Sequence, residues 1–304
     1  MPFYPQLRKA AIRVLLLLLF FILQTALAVE LDLYRIGEQW GRGDIDNVEK
    51  REELKLVELH LKGMARFLNG TAFYLGRFKG QHLMATNHHV FPYAGDVDWV
   101  SVYFPYQDRN FNLIKSIGTW KELDLTLFTI AIEPNDENFF KEIASSFAFE
   151  RKLQKGDNLY VLSVDQKGLI LSSDSDCKIF SNEPKKIYDP DLYNQKDYQV
   201  YSIAHGCDMR HGDSGSALIS RETGEIVGIN WTGKVPKDLR IQNQSFLDDQ
   251  YKNGGELIWE ELSYSVSANT IYHYLKNKLI EDQSLEASTR SVLEALLNEN
   301  NRLE

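Results

Sequence analysis

Cysteine is scarce in this chain: two of 304 residues, Cys177 and Cys207. The one grouping that resembles a metal set, His205, Cys207 and His211, fits no standard zinc-ligand spacing, so neither a metal nor another cofactor is expected. Basic charge is also in deficit. The 34 Lys and Arg residues against 43 Asp and Glu give a formal net charge of −9. Binding to nucleic acid rests on cations that neutralise phosphates, so nucleic acid is not an expected partner. Long apolar runs are missing too: the longest uninterrupted one, Val14 to Leu23, covers 10 residues, against roughly 20 for a membrane-spanning helix. There is no internal repeat and no low-complexity tract.

That short run has a different use. Arg8, Lys9 and Arg13 precede it and Ala26-Leu27-Ala28 follows with small residues two apart, the three parts of a secretory signal. Cleavage after Ala28 is expected, giving a secreted or periplasmic protein with no stable membrane anchor. Removing residues 1–28 takes away three positive charges and no negative ones, so the mature chain of 276 residues carries −12. This length supports a substantial core without staples. In an oxidising compartment Cys177 and Cys207 are expected to pair, which on the chain-entropy estimate stabilises the fold by about 3 to 4 kcal/mol.

Residues 29–53 read as a polar N-terminal extension with no assigned chemistry. Beyond it, Val57, Leu59 and Leu61 alternate with polar residues as in a strand, and short apolar runs follow at 71–75, 82–86, 99–104, 113–117 and 125–132. A connecting helix is expected within 139–151. Further strand-like runs lie at 158–164, 169–171, 199–203, 217–220, 226–231 and 262–266. The polar stretch 233–257 reads as a surface loop, 268–279 has helical periodicity, and a helix over 292–297 lies in the polar tail 281–304. Many short strands separated by turn residues favour an all-β sandwich or barrel.

The chemistry-bearing stretch is Gly212-Asp213-Ser214-Gly215-Ser216, a serine among glycines that leave backbone N–H groups free to meet a reacting carbonyl. A serine hydroxyl is a weak nucleophile and needs a base, which in turn needs a partner to hold its tautomer. Ala85-Thr86-Asn87-His88-His89-Val90 and Glu122-Leu123-Asp124-Leu125 supply both, in the order His, Asp, Ser. Spacing alone does not separate His88 from His89. The developing oxyanion would meet the N–H groups of Gly212 and Ser214. A serine esterase of the α/β-hydrolase type needs Gly-x-Ser-x-Gly and a histidine after the acid; position 216 is Ser and only His273 follows.

Seven segments in order carry a resemblance: Gly70-Thr71-Ala72-Phe73, Thr86-Asn87-His88-His89-Val90, Asp124-Leu125-Thr126-Leu127, Gly156-Asp157-Asn158-Leu159-Tyr160-Val161, His205-Gly206-Cys207-Asp208, Gly212-Asp213-Ser214-Gly215-Ser216 and Gly228-Ile229-Asn230-Trp231. Across about residues 54–280 the chain resembles secreted bacterial serine proteases of the chymotrypsin-type superfamily, near the V8-like or glutamyl endopeptidase group. The resemblance implies two perpendicular six-stranded antiparallel β-barrels, residues 54–150 and 151–280, the second ending in a helix, with a His89, Asp124 and Ser214 triad between them. It selects His89, which directly precedes the small apolar Val90. It implies a protein or peptide substrate lined by Asp208, Asn230, Trp231 and Thr232. Asn230 stands where a histidine accompanies glutamate selectivity. Asp208 matches either the acid at the base of a Lys- or Arg-selective pocket or a loop aspartate beside the cysteine. The mature start lacks an Ile-Val-Gly-Gly type of sequence to pair with Asp213, so Asp213 is satisfied by another group or the chain is processed further, with Lys50-Arg51 as a candidate site. A protease-like binding protein without activity is the rival reading.

Overall fold

In the computed structural model, which describes residues 34–45, 54–97, 99–143, 147–181, 183–188, 198–233, 238–253 and 261–298, the apolar runs pair into two antiparallel sheets. The signal-like segment 1–28 and Lys50-Arg51 lie outside the described residues. After β1 (Arg42–Asp44) and α1 (Leu54–Gly63), the first sheet consists of β2 (Met64–Phe67), β3 (Gly70–Phe78), β4 (Gln81–Thr86), β5 (Gly95–Asp96), β6 (Ser101–Phe104), β7 (Arg109–Trp120) and β8 (Leu125–Ile130). Its order is β5-β7-β6-β2-β3-β4-β8, and β7 also pairs with β8, which closes a six-stranded barrel. The long β7 serves both neighbours because irregularities at Leu113/Lys115 and Ser116/Gly118 bend it. β3 and β4 join across Lys79-Gly80, both with positive φ, the tight turn that matches strand twist.

The second sheet is different in form. α2 (Glu137–Lys141) precedes β9 (Leu159–Val164), β10 (Leu169–Ser172), β11 (Lys185–Tyr188), β12 (Gln199–His205), β13 (Ala217–Ser220), β14 (Ile226–Gly233), α3 (Gln244–Asn253), β15 (Ser263–Ser267), α4 (Ala268–Glu281) and α5 (Ala287–Leu297). Eight strands run β1-β10-β9-β13-β14-β15-β12-β11. Single bridges at Asn158–Lys178 and Ile179–His205 link the residues just before β9 to the end of β12.

Strand faces explain the unbroken apolar runs. On β3, Ala72 and Tyr74 enter the barrel core with Phe67, Met84, Phe104 and Phe128, while Phe73 and Leu75 point the other way. That outer face joins Leu162 and Val164 of β9, Ile229 of β14, and Ile271, Leu293 and Leu296 of the last two helices in one large core. A strand buried on both faces has no reason to alternate.

Four expectations need correction. The 57–61 alternation is part of helix α1, because Val57, His60 and Leu61 are buried at helical spacing and Leu59 is exposed. The helix expected over 139–151 is only the five-residue α2, and Phe147 instead bridges Ile226. The stretch 233–257 contains a 3₁₀ turn at Leu239–Gln242 and α3, which buries Ile241 and Leu247. The extension is not an appendage either: β1 pairs with β10 as part of the second sheet.

Cys177 and Cys207 form a disulfide across 30 residues. Replacing both by Ala is expected to lower stability by about 3 to 4 kcal/mol in urea unfolding; an unchanged midpoint would contradict the expectation.

Candidate active site

β4 ends at Thr86, which is in register with Thr126 of β8, so the turn after β4 lies beside the residue before β8. Asp124 closes the 3₁₀ turn Lys121–Leu123 with φ +46°, a left-handed conformation that aspartate tolerates, and its own carbonyl accepts a hydrogen bond from Asn87 Nδ2 at 2.9 Å. Asp124 is fully buried. One carboxylate oxygen accepts from the His89 backbone N–H at 2.8 Å and from the Tyr198 hydroxyl; the other lies 2.6 Å from His89 Nδ1. An ionised carboxylate can only accept, so Nδ1 carries the proton and the neutral imidazole keeps Nε2 as its acceptor. His88 turns elsewhere, with Nδ1 2.6 Å from Thr119 Oγ1 and its ring stacked on Tyr198. Burial lowers its pKa from the ordinary histidine value.

The serine turn is held against the first barrel. Thr71 N donates to Ser214 O at 2.8 Å, and Thr71 Oγ1 donates to Gly212 O at 3.2 Å. Gly215 N donates to Asn230 O and Asn230 N to Ser216 O, both at 2.9 Å, which fixes the other side to β14. Close approach explains two glycines. A Cβ on Gly215, at φ +86°, would sit 2.0 Å from Thr71 O; one on Gly70 would sit 2.8 Å from Ser214 O and 2.9 Å from a methyl of Val90. The same contact brings the Ser214 backbone and the residue after His89 together on one side of Gly70. The Ser214 hydroxyl donates to Trp231 O at 3.3 Å. Among the described residues, the N–H groups of Gly212 and Ser214 donate to no protein acceptor. A cleft of about 680 Å³ opens beside Gly212, walled by Tyr34, Trp40, Arg66, Asn69 and Arg210.

The other sequence candidates lie deeper. Asp208 is fully buried, and its two oxygens accept from Ile36 N at 2.8 Å and Gly41 N at 2.6 Å. Burial, then the nearby Asp174, pushes its pKa well above the carboxylate range. Asn230 contacts Asp213 O and Ser265, and Trp231 donates from Nε1 to Ser202 Oγ at 2.8 Å, so both side chains face the core. Thr232 is 9% exposed. His211 is exposed and edge-on to Tyr34. Cys207 is in the disulfide, and His205 accepts from Cys207 N and bonds Ser265 Oγ, so the two share no open coordination site.

Two participants were not visible in the sequence. Tyr198, the second donor to Asp124, is 74 residues away with no motif around it. Arg42, which binds Asp213 through Nε at 2.8 Å and an Nη at 2.9 Å, belongs to an extension read as inert.

His205 also sets an acid limit. Complete burial lowers its pKa to about 3, so it stays neutral when folded while the unfolded chain takes up a proton below the ordinary 6.5. The stability it contributes is therefore present above pH 6.5 and lost as pH falls toward 3, at up to about 1.4 kcal/mol per unit. The urea midpoint is expected to fall less steeply between pH 6 and 4 in His205→Gln than in the wild type; parallel slopes would contradict this.

Solved structures of similar shape include the inactive form of the Rv3671c protease (TM-score 0.48, 16% identity, covering 73% of this chain and 91% of that one). They also include the active form of Rv3671c from M. tuberculosis (0.47, 20%, 73% and 82%) and the HtrA-type protease AlgW with a tripeptide (0.47, 15%, 76% and 64%). No curated protein matches the chain. The model of the trypsin-like peptidase domain matches residues 70–229, more than half of the chain and a span that contains His89, Asp124 and Ser214. The chain belongs to the trypsin-like peptidase family.

Proposed function

We propose that this peptidase is a secreted serine endopeptidase that hydrolyses peptide bonds through an acyl-enzyme on Ser214. The observations that carry the reading are the His89–Asp124 pair at 2.6 Å and a serine turn fixed on both sides, with Ser214 O and a methyl of Val90, the residue after His89, meeting beside Gly70. In the reaction, the Ser214 hydroxyl turns from Trp231 O toward His89 Nε2, gives up its proton and attacks the scissile carbonyl. His89 then protonates the leaving amine, and Asp124 holds the imidazole and stabilises its charged form. Gly212 N–H and Ser214 N–H receive the oxyanion. Water repeats the sequence on the acyl-enzyme and releases the acid product.

The seven ordered motifs support a place beside the V8-like members, and the apolar run with Ala26-Leu27-Ala28 supports export with cleavage after Ala28. Substrate preference is a separate matter. Asp208 has both oxygens engaged by backbone N–H groups, and Asn230 replaces the histidine tied to glutamate selectivity, so the proposal includes neither basic nor glutamyl preference.

Digestion of a mixed-sequence peptide library, with cut sites read by mass spectrometry, tests the activity and reads the preference together. New termini that disappear on serine-directed inhibition are expected. An untouched library would favour the silent binding protein.

A further inference from the structure

Asp213 immediately precedes Ser214 and is 1% exposed. A buried carboxylate needs a donor set that replaces water. Asp213 has three such bonds: the two from Arg42 and one from Arg210 N at 2.9 Å. Its carbonyl also accepts from Ser216 N at 3.1 Å and from the Ser216 hydroxyl. The position of Asp213 therefore sets the path of the chain on both sides of Ser214.

Arg42 is also buried, at 7% exposure, and its planar fork matches the carboxylate with two bonds. The guanidinium also lies 3.7 Å from Asp165, which pairs with Arg210 at 2.5 Å, so two arginines and two aspartates alternate, the outer two of them lining the cleft. The segment that delivers Arg42 is itself fastened. Arg42 and its neighbours pair with β10, Ser173 N donates to Gly41 O, Gly37 N donates to Ile241 O, and Ile36 and Gly41 hold Asp208. Both buried carboxylates of the 208–213 stretch thus take partners from residues 36–42.

We infer that residues 36–44 are a built-in activating segment, in which Arg42 is the positioning residue that holds Asp213 and so keeps Gly212 N–H and Ser214 in the geometry the reaction needs. The inference rests on Ser214 being the nucleophile. Arg42 touches no substrate and acts through Asp213. On this account Asp213 needs no ammonium freed by processing, because the cation is supplied from within the extension.

The test is the rate of inactivation by a fluorophosphonate probe, resolved into kinact and KI, for the full chain and its variants. Arg42→Ala is expected to lower kinact about 100-fold, the size of a lost oxyanion donor, with KI little changed. Added methylguanidinium is expected to restore at least about tenfold of that in Arg42→Ala and nothing in the wild type, as a cation filling the vacated site does and a general loss of stability does not. Arg42→Lys keeps a cation with a single point of attachment; a loss of about tenfold is expected there, and it carries the test if Arg42→Ala does not fold. Wild-type kinact in a folded Arg42→Ala, or in Arg42→Lys, would overturn this inference alone. No adduct on wild-type Ser214 would overturn the nucleophile reading and this inference with it.

Discussion

Ser214→Ala is expected to lower peptide hydrolysis by about 10⁶-fold, the loss typical of removing the nucleophile from a serine protease. Folding should be nearly unaffected. The side chain is half-buried, and the replacement removes only its 3.3 Å hydroxyl bond to Trp231 O. The turn itself depends on backbone bonds that alanine keeps: Thr71 N to Ser214 O, Gly215 N to Asn230 O, and Asn230 N to Ser216 O. A stability change below about 1 kcal/mol is expected. Hydrolysis assays beside urea unfolding separate the two quantities, and substantial activity in a folded Ser214→Ala protein would remove Ser214 from the mechanism.

Asp124→Asn should cost about 10⁴-fold in kcat for a different reason. Asparagine is nearly isosteric, and its amide oxygen can still accept from His89 N and Tyr198. The amide nitrogen would then face His89 Nδ1, where the carboxylate oxygen now lies at 2.6 Å. An N–H donor at that point requires Nδ1 to accept, which moves the ring proton to Nε2. In the proposed reaction Nε2 takes the Ser214 proton, so the base would be blocked although the fold is kept. The ¹⁵N shifts of His89 should report the exchanged tautomer, together with the loss of turnover. Turnover within tenfold of the wild type would mean that Asp124 does not govern the base.

Much of this arrangement is readable from the chain, because local chemistry demands it. The glycines at 212 and 215 mark a turn with positive φ, and the runs at 71–75, 82–86 and 125–132 are too short and too apolar for anything but strands. The order of His, Asp and Ser motifs is likewise a property of the sequence. Contacts made across long separations are not. Nothing near Tyr198 indicates that its hydroxyl reaches Asp124, and nothing near Arg42 names Asp213, 171 residues away, as its partner. The strand expected at 57–61 fails because two periods coexist there: every second residue is apolar, but Val57, His60 and Leu61 are the ones that are buried. Burial of His60, with Nε2 against Gly224 O, is what tips the balance, and a histidine does not declare that in advance. The stretch 233–257 reads as a loop for a similar reason, since its polar composition hides Ile241 and Leu247, which are buried.

The measurement that bears most directly on the central claim is labelling of the purified protein with a fluorophosphonate probe, followed by intact-mass analysis and peptide mapping. The probe reacts with an activated serine and requires no knowledge of the substrate. A single adduct, located on Ser214 and absent from Ser214→Ala, is the predicted result. An unlabelled wild-type protein, or an adduct on a different residue, would contradict it.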